Sequence, residues 1–189
     1  YESGDNRKPV IFLFPGTCCL YSSFDHVLDG LHSYFYTVTV SYDGFDPNEK
    51  TEFYSMEDEC EKIEQEIRTK YGGRIKAAYG CSLGGSFVSL LIQRKRIHID
   101  HGIIGSSDMD EAGNLVAKIQ ASMVVPFMYK MVHTGTLPKF MQKKLDKTDG
   151  GKKELYNGFL NMFGIGKGGS PWITKQSIYN QFYSDLVTK

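Results

Sequence analysis

The chain has 189 residues, with 22 basic and 22 acidic side chains, 41% hydrophobic and 13% aromatic residues. That length supports one domain with a substantial core, and the charge balance carries no footprint for nucleic acid or an anionic surface. Four cysteines, Cys18, Cys19, Cys60 and Cys81, lack metal-ligand spacing, and an adjacent pair suits no simple disulfide framework, so reduced thiols and a cytoplasmic setting are expected.

Residues 1–8 are polar and do not read as a signal peptide. Residues 10–14, VIFLF, read as a buried strand that runs into Pro15-Gly16-Thr17-Cys18. A helix is expected over 21–34, with Phe24, Leu28 and Leu31 on one face, and a β-branched, aromatic strand over 36–42. After a turn-rich loop at 43–48, Ser55-Met56-Glu57-Asp58 forms a capping box. The helix it opens carries Met56, Cys60, Ile63, Ile67 and Tyr71 at helical spacing and ends at Gly72-Gly73. A strand at 74–79, a helix at 84–94 and a strand at 98–105 follow. Beyond Asp108 the pattern turns helical, at 114–132 with Pro126 as a kink, at 137–145 and at 153–163. No apolar run is read as reaching the ~20 residues of a membrane span.

The alternation of strands and helices implies a mostly parallel sheet flanked by helices, with ligands held beyond the carboxyl ends of the strands. Four loops should converge there, at Thr17, at Asp43, at Ser82 and at Ser106-Ser107-Asp108. Residues 1–110 are read as this core, 111–170 as a helical cap over the crevice, and 171–189 as a helix returning to the core; ordinary core helices are the alternative for the cap.

The chemistry is concentrated in Gly80-Cys81-Ser82-Leu83-Gly84-Gly85, between a strand and a helix. A G-x-S-x-G in that context is a nucleophile elbow: the turn is so tight that only glycine fits two residues either side of the serine. A weaker reading is a plain glycine-rich turn. Cys81, one residue off the exposed corner, is read as a buried, inert thiol. Gly164–Gly169 matches G-x-G-x-x-G but follows a helix rather than a strand, so it reads as a hinge. The lysines at 139, 143, 144, 147, 152 and 153 read as a solvated helix face.

Pro15-Gly16-Thr17 together with Gly80-Cys81-Ser82-Leu83-Gly84 resembles the α/β-hydrolase superfamily, nearest to small bacterial esterase-like hydrolases. The resemblance implies an acyl-enzyme on Ser82 acting on carboxylic esters or related acyl substrates. It implies an oxyanion hole from the N–H groups of Leu83 and Thr17, with Cys18 as the alternative donor, each donor stabilising the intermediate by about 3 kcal/mol. The family's acid and histidine follow the serine along the chain. Asp108 is the candidate acid and His133 the candidate base, an exposed cap histidine being the alternative for the latter; otherwise both lie beyond Lys189, and the 189 residues are expected to be a hydrolase without its final strands. No cofactor or metal is expected, and the partner is a small acyl substrate. Two further readings stay open: a non-catalytic ligand-binding protein on the same fold, and an acyltransferase.

Overall fold

The structure, a computed structural model, describes residues 1–107, 111–148, 150–163 and 168–188. Its sheet has five strands, β1 (Glu2–Ser3), β2 (Val10–Phe14), β3 (Tyr36–Thr39), β4 (Arg74–Cys81) and β5 (His98–Gly105), in the order β1-β3-β2-β4-β5. β1 runs antiparallel to β3, and every other pair is parallel. The short β1 is absent from the sequence reading because two polar residues carry no period. β2 buries both faces, as a parallel strand covered by helices should. Phe12 and Phe14 enter the main core, while Ile11 and Leu13 join Phe24 and Ala77 in a second cluster.

The helices are α1 (Asp25–His32), α2 (Met56–Tyr71), α3 (Leu83–Arg94), α4 (Asn114–Thr134), α5 (Lys139–Asp146), α6 (Gly151–Met162) and α7 (Lys175–Val187). The single helix expected over 21–34 is divided: a 3-10 turn over Tyr21–Phe24 leads into the shorter α1. At α2 the capping reading holds on one side, with Asp58 N–H donating to Ser55 Oγ at 3.1 Å. Gly72 closes that helix at φ 62°, a conformation glycine adopts without steric cost. Met56, Cys60, Ile63 and Ile67 are its buried stripe.

α4 is long and apolar enough to cross a membrane by length and composition, contrary to the expectation from the sequence. It packs along α7, and Ala117, Ala121, Val125, Met131 and Val132 are its buried residues. Leu115, Val116, Ile119 and Met123 face outward. Across the sheet's helix layer, Phe87 of α3 stacks on Tyr42 with ring centroids 4.7 Å apart, and Phe53 meets both rings edge-on. Burying side chains of this size stabilises the fold by about 2–3 kcal/mol each.

Candidate active site

Ser82 sits between the last residue of β4 and the first of α3, at φ 53° and ψ −123°. A non-glycine residue in that region is strained, at a cost of about 1–3 kcal/mol, and such strain concentrates at functional corners. The corner is held from both sides: Ser82 N–H donates to the Gly105 carbonyl at 2.8 Å, and the Ser82 carbonyl accepts from Gly85 N–H at 2.7 Å. The Ser82 side chain makes no capping bond and is exposed. The glycines explain themselves by contact. A Cβ on Gly80 would collide with the Gly84 carbonyl, and one on Gly84 with the Phe14 carbonyl.

The loop after β2 comes up against this corner. A Cβ on Gly16 would lie 3.2 Å from the Cys81 carbonyl oxygen and 3.5 Å from Ser82 Cβ. Thr17 and Ser82 line one cavity of about 500 Å³ with Ser106, Ser107 and, from the helices, Ala121, Val124, Phe182, Asp185 and Leu186. Leu83 opens α3, so its N–H has no intrahelical acceptor. Thr17 N–H likewise meets no acceptor among the described residues.

Cys18 does not fit the alternative donor role that the sequence left open. Its N–H donates to Gln181 Oε1 at 3.0 Å inside the protein, so it is unavailable to an oxyanion. Burial also pushes the Cys18 thiol well up, and that of Cys19 up to about 12, which leaves neither as a thiolate at neutral pH. Cys81 is half-buried rather than buried. All four thiols are free.

Three of the four expected loops reach the cavity; the Asp43 loop does not line it. Asp43 instead shares Lys62 with Asp58 and Glu59, the ammonium lying 2.5, 2.6 and 3.1 Å from the three carboxylates. These carboxylates are close enough together to hold a metal ion, but Lys62 already supplies the positive charge. Burial, with the Asp43 charge adding to it, pushes Glu59 up to about 7 against the opposing pull of Lys62.

Asp108 lies outside the described residues, as do the first four residues of the glycine-rich match at 164–169. His133 stands near the end of α4 with its ring 5.0 Å from that of Tyr129, and its buried Nδ1 has no hydrogen-bond partner among the described residues. It does not line the Ser82 cavity, nor does any of the other four histidines. His32 bonds Ser3 and Thr37, and His98 pairs with Asp100. Sequence reasoning missed Gln181 and Asp185. With Ile178 and Phe182 they occupy positions i, i+3, i+4 and i+7 of α7, and two polar residues on an otherwise core-facing stripe were the available signal.

The sheet order, the sharp turn at Ser82 and the loop beside it define the class: the chain has the α/β-hydrolase fold. It superposes on an α/β-hydrolase family protein from Desulfitobacterium hafniense with a TM-score of 0.72 at 15% identity, covering 99% of this chain and 71% of that one. MenH from S. aureus gives 0.70 at 10% identity, with 97% and 71% covered. A structure from work on carboxylesterases of Nitrososphaera gargenis gives 0.69 at 14%, with 100% and 68% covered. No protein-family model matches the sequence, and no curated protein matches it.

Proposed function

We propose that this protein hydrolyses carboxylic esters through an acyl-enzyme on Ser82. The observation that carries the reading is the backbone of Ser82, a strained, exposed serine at the end of a central parallel strand and open to a cavity. Its Oγ adds to the ester carbonyl carbon, and its proton passes by way of water to the oxygen of the departing alcohol. The N–H groups of Leu83 and Thr17 stabilise the oxyanion that forms. The C–O bond to the alcohol then breaks, the alcohol leaves with a proton, and water releases the acid from Ser82. The carboxylesterase work on a similar fold supports the substrate class. The apolar lining from Ala121, Val124, Phe182 and Leu186 suits an apolar acyl group.

Among the described residues lining the cavity, Asp185 is the one ionisable carboxylate, and no histidine joins it. That observation favours a second reading, ligand binding without turnover. A fluorophosphonate probe with intact-mass detection separates the two. Hydrolysis predicts one adduct on Ser82, absent in Ser82→Ala. An unlabelled wild-type chain that is nonetheless thermally stabilised by a non-hydrolysable ester analogue supports the binding reading.

A further inference from the structure

We propose that Gln181 is the positioning residue of the loop beside Ser82, holding the Thr17–Cys18 peptide so that Thr17, and not Cys18, presents its N–H to the reacting carbonyl. This inference rests on Ser82 being the nucleophile. The loop is fixed at three points. Tyr42 Oη donates to the Pro15 carbonyl at 3.1 Å, Cys19 N–H donates to the Gly16 carbonyl at 3.0 Å, and Cys18 N–H donates to Gln181 Oε1 at 3.0 Å. Tyr42 is itself clamped by Phe87 of the helix that follows Ser82. The third attachment is the one made by a distant side chain at the point of greatest backbone strain, since Cys18 holds φ at 59° without being glycine.

Gln181 has the properties of a group retained for this one bond. It is fully buried on the core-facing stripe of α7, where leucine or methionine would fill the same volume. Its Nε2 meets no partner among the described residues, so the amide gains only through its oxygen. Without that acceptor, Cys18 N–H would be an orphan donor in the interior. The loop would relieve it by turning the peptide, which relaxes φ at Cys18 and carries the neighbouring Thr17 N–H away from Ser82.

Three variants test this. Gln181→Met keeps the volume and removes the acceptor, Gln181→Glu keeps an acceptor oxygen, and Ser82→Ala serves as the control. In hydrogen exchange read by NMR, Cys18 N–H should be protected in the wild type while Thr17 N–H exchanges freely. Gln181→Met should lower the Cys18 protection at least tenfold, Gln181→Glu should restore part of it, and Ser82→Ala should leave it unchanged. With a short-chain p-nitrophenyl ester, Gln181→Met should lower kcat at least 30-fold with KM within threefold, and weaken a trifluoromethyl ketone inhibitor by a similar factor. A Cys18 amide exchanging as fast as that of Thr17 in the wild type, or Gln181→Met retaining kcat within threefold of an active wild type, would overturn the proposal. A wild type that Ser82→Ala does not inactivate removes the serine mechanism instead, while the exchange data still decide how the loop is held.

Discussion

Ser82 keeps its left-handed backbone because the residues around it leave the chain nowhere else to go. Gly84 is the tightest of these: its Cα lies under the Phe14 carbonyl, with no room for a methyl group. Gly84→Ala should therefore lower stability by about 3 kcal/mol or more in urea unfolding. Gly30→Ala, in α1 with nothing within 4 Å, should raise it by about 0.5–1 kcal/mol. Equal effects at the two sites would contradict this account of the turn at Ser82. Glu59 gives a pH signature. Its carboxyl titrates near 7 in the folded protein against 4.5 as its ordinary value. Below 4.5 both states hold the proton and the contribution is fully present. As the pH rises towards 7 the unfolded chain releases the proton first, and stability falls by about 3 kcal/mol. Glu59→Gln should flatten that decline in unfolding curves taken from pH 4.5 to 8; parallel curves for the two proteins would refute the assignment. Ser82 could be read from sequence because its glycines stand at fixed offsets from it in one short motif between two apolar runs, although the contact that demands Gly84 comes from Phe14 on another strand. Gln181 could not, because its partner is 163 residues away and one residue's identity carries no address.

Between elements, the junction of α2 and α3 is the most electrostatically exposed to mutation. Glu64 of α2 is fully buried, and Arg94 of α3 reaches it at 2.6 Å, with Arg96 as a weaker neighbour at 3.5 Å. Removing one partner leaves a buried charge uncompensated, so Arg94→Met should destabilise by about 3 kcal/mol in urea unfolding. The double variant Arg94→Met/Glu64→Leu should recover most of it, and a double variant no better than the single would show that the pair is not what couples the helices. Element type was legible where the apolar period was long. α2 and α4 fall within two residues of expectation because a stripe of four or more buried side chains sets each. β1 and the 3-10 turn before α1 were not, since two residues of one and a single tight turn of the other are shorter than any period.

At the scale of the molecule, the strand order places β4 between β2 and β5, so the serine rises from an interior strand and the loop after β2 stands directly beside it. That the serine and this loop share the carboxyl edge of a parallel sheet follows from the alternation of strands and helices, whereas the strand order does not. What lies over the crevice does not, because a helical segment can pack on the core in many ways with the same apolar pattern. Stability should be graded accordingly. Amides of β2 and β4, paired on both sides, should exchange last, and those of α5, which carries no fully buried side chain among the described residues, should exchange first. Equal protection of α5 and β4 would refute this ordering.

The bond from Cys18 to Gln181 also sets a schedule for biosynthesis. At about 5–20 residues per second, a ribosome needs on the order of ten seconds to pass from the first partner to the second. Through that interval the nascent strands can already pair while the pocket lacks the Gln181 brace. Arrested chains ending before codon 181 should therefore contain a protected sheet yet fail to react with a serine probe that modifies the released polypeptide.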